Sequence, residues 1–156
     1  MSTSTSGRCR PSATSYDPWE AYGQSKTANA LFAVGVTQKY AADGITANAL
    51  MPGAISTGLQ DHLSSNDFRS LGWMQSGGGL APPAGWKTIP QGAATTVWAA
   101  LTPELDGSGG HYLEDCAIGP PWLADGYPPS GHYLPCALDP RHAAPLWDLS
   151  AELIQD

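Results

Sequence analysis

A chain of 156 residues that is 42% hydrophobic can bury a core and is too apolar for a disordered protein. Its formal charge of −7, with no basic cluster beyond Arg8 and Arg10, argues against a nucleic-acid or anionic-membrane surface. No apolar run approaches the roughly 20 residues of a membrane span, and the Ser/Thr-rich start lacks a signal peptide's apolar core.

Residues 1–15 are small and polar, without periodicity, and read as irregular. Asp17-Pro18-Trp19 opens a helix, with Asp17 suited to the N-cap and Pro18 to the first turn. Ala28, Leu31, Phe32, Val36 and Tyr40 recur at helical spacing over residues 21–40, and Gly44 closes the helix. Gly35 lies inside that helix at a cost of about 1 kcal/mol against alanine. The short apolar run 45–51, closed by Pro52-Gly53, predicts a buried parallel strand.

Residues 58–89 are mixed, contain Ser76-Gly77-Gly78-Gly79 and Pro82-Pro83, and read as a long loop. The Ala/Val-rich run 90–101 predicts a second helix, and residues 111–114 after Gly109-Gly110 a second strand. The Gly/Pro-rich stretch 117–135 reads as loop. Asp139 and Pro140 then start a last helix with the stripe Leu146, Leu149, Leu153 and Ile154, in which Pro145 is expected to kink the helix or delay its start. This alternation of helix and strand is an α/β pattern.

Three cysteines, Cys9, Cys116 and Cys136, give neither a disulfide framework nor a zinc spacing, and a reducing cytoplasm fits them best. His62, His111, His132 and His142 show no ligand spacing, so no metal site is expected. The absence of a GxSxG elbow argues against a hydrolase of that type.

The chemistry lies in Tyr22-Gly23-Gln24-Ser25-Lys26. One helical turn puts the Tyr22 phenol and the Lys26 ammonium on the same face. A nearby ammonium favours the phenolate, so the pair can act as a general acid/base. On these two residues alone, an amphipathic helix with a packed tyrosine and a solvated lysine stands beside that reading.

The wider series decides between them. Tyr22-Gly23-Gln24-Ser25-Lys26-Thr27-Ala28-Asn29, then Gly44-Ile45-Thr46-Ala47-Asn48-Ala49-Leu50, then Met51-Pro52-Gly53-Ala54-Ile55-Ser56-Thr57 resembles the short-chain dehydrogenase/reductase family. Gln91-Gly92-Ala93-Ala94-Thr95-Thr96, Gly110-His111-Tyr112-Leu113-Glu114-Asp115-Cys116 and the stretch from Ala137-Leu138-Asp139-Pro140 to Leu146-Trp147 are similar to its retinol-dehydrogenase-like and WW-domain-oxidoreductase-like members.

The resemblance implies that residues 16–156 are the carboxyl-terminal half of such a domain. The fold is then a partial Rossmann-type, doubly wound parallel sheet lacking its amino-terminal nucleotide-binding strands. It implies an NAD(P)-dependent oxidoreductase of an alcohol/carbonyl pair, using NAD or NADP, with Tyr22 moving the proton. Lys26 would support that phenol and bond the nicotinamide ribose. Pro52, Gly53 and Ile55 would shape the turn at the nicotinamide, the Ile55 backbone meeting its carboxamide, and Thr57 would lie near the phosphates. The glycine-rich phosphate turn would precede Met1, and Ser4 or Ser6 would be the candidate catalytic serine.

The expected partners are a small alcohol or carbonyl substrate and either a second copy or a complementary amino-terminal half covering the inner edge of the strand at 45–51. Leu59, Leu63, Leu71, Trp73 and Met74 are candidates for an apolar substrate pocket. As a truncated oxidoreductase the chain is expected to be inactive alone; the alternative is a non-catalytic remnant acting only through protein association.

Overall fold

The computed structural model describes residues 16–74 and 85–155. The irregular start, with Ser4 and Ser6, and the glycine run at 76–79 lie outside the described residues.

The first helix, α1 (Pro18–Tyr40), starts where its capping residues direct it. Asp17 is extended, and its carboxylate accepts the N–H groups of Trp19 and Glu20 at 2.8 and 2.9 Å. Two of the first turn's orphan donors are thereby satisfied. At the other end a 3-10 turn (Ala41–Asp43) leads into Gly44, which is left-handed at φ 78°. Its N–H donates to the Ala41 carbonyl, and the Ile45 N–H to that of Tyr40.

The strand expected over 45–51 is shorter, β1 (Ala49–Met51). Residues ahead of it spend their hydrogen bonds elsewhere. Thr37 Oγ1 on α1 both accepts from the Ala47 N–H and donates to the Ala47 carbonyl, each at 3.0 Å. The Asn48 side chain accepts the His111 N–H at 2.9 Å. One threonine and one asparagine thus take over what a sheet ladder would supply, and they weld α1 to the start of β1.

The segment read as a long loop contains a short helix, α2 (Ser65–Ser70). Ser64 and Asp67 form its capping box, each side chain bonding the other's backbone N–H. The next helix, α3 (Ile89–Leu101), carries the same device in Thr88 and Gln91. Strand β2 (Tyr112–Glu114) runs parallel to β1, pairing Ala49 with Tyr112, Leu50 with Leu113 and Met51 with Glu114. Strand β3 (Ala117–Ile118) turns back antiparallel to β2 inside the stretch expected to be loop. The last helix, α4 (Pro140–Leu153), begins at Pro140 under an Asp139 cap, so Pro145 does not delay it. The fold is α/β as expected, with a small mixed sheet in the order β1-β2-β3.

Helix α1 packs along α4 and touches β1, while α3 touches β1 and β2. Leu31, Val34 and Ala143 are buried together, with Leu138 and Leu146 against them. Gly35, costly for a helix, has a packing reason: a Cβ there would stand 3.2 Å from the Trp147 ring. Trp147 also stacks on Phe32 at 5.2 Å and meets Tyr40 edge-on at 5.9 Å. Cys136 is disulfide-bonded, and Cys116 is free and exposed. No described helix is long and apolar enough to cross a membrane.

A buried carboxylate organises the region after β3. Glu114 accepts from the Tyr112 hydroxyl at 2.6 Å, the Ser130 hydroxyl at 2.5 Å and the Gly131 N–H at 2.8 Å. Burial alone would raise its carboxyl, but the hydrogen bonds from Ser130, Tyr112 and Gly131 outweigh burial and hold it below its ordinary value of 4.5. Burial, and then the hydrogen bond to Glu114, push the Tyr112 phenol up, so it remains a donor. The folded state therefore favours the ionised Glu114. Stability from it is fully present above the ordinary value and is lost as pH falls through the depressed folded value. Melting temperature is expected to fall as pH drops below that ordinary value of 4.5, and Glu114→Gln to be less stable at neutral pH with a shallower acid decline. Parallel acid declines in both proteins would show that the three donors do not hold an anion.

Candidate active site

Two clusters carry the residues singled out in the sequence. The first is on α1, where Lys26 Nζ lies over the Tyr22 ring, 5.0 Å from its centre. The helix places the pair one turn apart, and neighbouring hydroxyls turn inward: Ser25 Oγ donates to the Tyr22 carbonyl and Thr27 Oγ1 to that of Gly23. Tyr22 is 51% exposed. Burial on α1 begins only at Ala30, so the amino-terminal half of the helix stands clear of the core. Among the described residues, neither the Tyr22 nor the Lys26 side chain bonds to the second cluster.

That second cluster is the turn Pro52-Gly53-Ala54-Ile55-Ser56-Thr57, which follows β1. Gly53 is left-handed at φ 95°, a conformation that other residues adopt only under strain. Beyond it the Gln60 side chain spans the turn. Its Nε2 donates to the Ile55 carbonyl and its Oε1 accepts the Thr57 N–H, both at 2.8 Å. On the far side, the Lys87 N–H donates to the Ala54 carbonyl at 2.8 Å. Gly92 lets α3 come in closely, since a Cβ there would overlap the Ile55 side chain. The turn is therefore held from three sides by residues distant from it in sequence or supplied by the next 3-10 turn, Gly58–His62.

Beside the turn is a hollow of about 180 Å³ walled by Ser56, Thr57, Gln60, Leu63, Phe68, Trp73 and Trp86 among others. Trp73 and Trp86 meet edge-to-face at 4.9 Å, with Phe68 6.4 Å from Trp73. Of the apolar residues expected at a pocket, Leu63 and Trp73 line it and Leu71 and Met74 do not. The Leu59 side chain lies outside the described residues. Phe68 and Trp86 were missed because each is a single aromatic in a segment without periodicity, and only the chain's return brings them together.

Comparison with known proteins bears on the ancestry of the chain. No family model and no solved structure matches the chain. Curated relatives do match. A "Probable oxidoreductase" of Streptomyces lividans is 46% identical over 139 residues, covering 89% of this chain and 46% of the relative. "Short-chain dehydrogenase/reductase prx1" of Penicillium roqueforti is 37% identical over 139 residues, covering 89% of this chain and 39% of its own length. "Polyprenol dehydrogenase" of Homo sapiens is 39% identical over 103 residues, covering 63% of this chain and 28% of its own length. The chain spans less than half the length of each of these relatives.

Proposed function

The chain belongs to the short-chain dehydrogenase/reductase family, and on that premise we propose that it serves the NAD(P)-dependent interconversion of an alcohol and a carbonyl compound. The observation that carries the reading is the Tyr22–Lys26 pair on one face of α1, with Nζ 5.0 Å from the ring centre.

The turn's donor set supports a nicotinamide there. The Ile55 carbonyl and the Thr57 N–H already bind one primary carboxamide, that of Gln60, and a nicotinamide offers the same donor and acceptor. No glycine-rich phosphate cradle stands among the described residues. When bound, the dinucleotide supplies or accepts the hydride.

The chain's own residues handle the proton. Tyr22 would donate its phenolic proton to the carbonyl oxygen in reduction and take the hydroxyl proton in oxidation. Lys26 would stabilise the Tyr22 phenolate that this transfer leaves and hold a ribose hydroxyl. Pro52 and Gly53 would set the path of the turn, Ile55 would receive the carboxamide, and Thr57 would lie toward the phosphates. The aromatic walls of Phe68, Trp73 and Trp86 suit a substrate with an apolar body.

A second reading is favoured by one feature. Among the described residues β1 pairs on one side only, and an open strand edge invites association with another chain. On that reading the chain is a non-catalytic partner.

An isotope experiment separates the two. The chain, with an amino-terminal half of the family supplied upstream or as a separate polypeptide, is mixed with nicotinamide-deuterated NADH or NADPH and a panel of aldehydes and ketones. Deuterium on the carbinol carbon of the product is the expected result. No transfer to any member of the panel would overturn the catalytic reading and leave association.

A further inference from the structure

Lys87 is remote in sequence from the turn after β1, yet it meets that turn at three points. Its N–H bonds the Ala54 carbonyl at 2.8 Å, and it forms an isolated parallel bridge with Ile55. Its side chain runs across Gly53, where an added Cβ would stand 2.7 Å from Cδ and 2.8 Å from Cε. Its ammonium then reaches past the turn to an ion pair with Asp115.

Asp115 is held in an uncommon way. Asp115 and Cys116 form the two-residue link between β2 and β3, and both have positive φ, 51° and 57°. Such links favour asparagine or aspartate followed by glycine, so Asp115 suits its place while Cys116, standing where glycine is usual, carries backbone strain. The strained link has two anchors. One is the Asp115–Lys87 pair, and the other is the Cys116 N–H, which donates to Oγ1 of buried Thr95 at 3.2 Å. With Asp115 64% exposed the ion pair adds little stability, but Lys87 is only 21% exposed and its stem has one course to follow. The pair fixes position more than it adds energy.

We propose that Lys87 is a positioning residue, anchored by Asp115, that holds the Pro52–Thr57 turn in the form that receives the cofactor's carboxamide. The inference rests on the reading of that turn as the nicotinamide end. Lys87 itself touches the turn and acts through Gly53, Ala54 and Ile55.

The test uses Lys87→Met, which keeps an apolar stem, and Asp115→Asn, which keeps the shape and tolerates the left-handed backbone. Amide hydrogen exchange is followed at Lys87 and Thr57 in the free chain. Both variants are expected to speed exchange there by roughly tenfold at an unchanged denaturation midpoint, the signature of local rather than global opening. The double variant should exchange no faster than Lys87→Met, and Lys87→Arg should restore protection. With an amino-terminal half of the family supplied, NADPH affinity should fall by roughly tenfold in both variants, because an unordered turn must be ordered on binding.

Unchanged exchange in Asp115→Asn, or additive effects in the double variant, would overturn the proposal. If exchange responds as expected while the variants, with the amino-terminal half supplied, bind NADPH as tightly as wild type, the anchoring of the turn stands and the assignment of the turn to nicotinamide fails.

Discussion

Tyr22→Phe is expected to lower hydride transfer by roughly two to four orders of magnitude while leaving the fold untouched. The substitution removes one oxygen, and the structure shows how little else depends on it. Among the described residues the Tyr22 hydroxyl makes no hydrogen bond, and the residue is 51% exposed. A change at such a position stays within about 0.5 kcal/mol of wild-type stability. The phenylalanine ring still offers its face to Lys26, so the contact at 5.0 Å is retained too. The loss therefore falls on proton transfer, and it is read as a drop in kcat with melting temperature and NADPH affinity unchanged. Activity within a factor of about three of wild type, measured on the deuterium label, would remove Tyr22 from the chemistry.

That pair was legible in the sequence because its geometry is local. An N-cap, a proline in the first turn and one helical repeat between Tyr22 and Lys26 suffice to put both on one face, and Asp17 caps α1 as expected. The Gly53 turn was legible for the same reason, as a proline-glycine break after a strand. Features that depend on chain return were not.

Lys87 is a lone lysine in a stretch without periodicity, and only the bridge to Ile55 brings it to Gly53. The β2–β3 link is hidden in the sequence because Cys116 stands after Asp115 where the glycine that marks such turns would be. The strand before Pro52 was drawn too long because nothing local says that Thr37 will bind both polar groups of Ala47. Helix α2 had a readable signal in the Ser64–Asp67 capping box, masked by the mixed composition around it. Gly35 shows the converse, a local penalty whose reason, the Trp147 ring, lies on another helix.

The largest loss of stability is expected from Leu113→Ala. Leu113 is 0% exposed and is the largest fully buried apolar side chain of the described residues. It sits at the centre of the sheet, paired with Leu50 on β1 and Ile118 on β3. Truncating such a leucine costs about 2–5 kcal/mol, transfer and cavity together. Domains of this size have only about 5–15 kcal/mol in all. The denaturant midpoint should therefore move far down at constant slope, while Leu113→Val should cost about 1 kcal/mol. A midpoint for Leu113→Ala within about 1 kcal/mol of wild type would mean that the α1–α4 contact, not the sheet, holds the fold.

The two substitutions also carry opposite signatures. Leu113 precedes Glu114 and Asp115 on the same strand and link, so its loss loosens both the Glu114 cluster and the anchor of Lys87. NADPH affinity should fall along with stability in Leu113→Ala, whereas Tyr22→Phe should separate turnover from both. A chain in which turnover, affinity and stability moved together in both variants would have its proton donor inside the folding core, and Tyr22 stands outside that core.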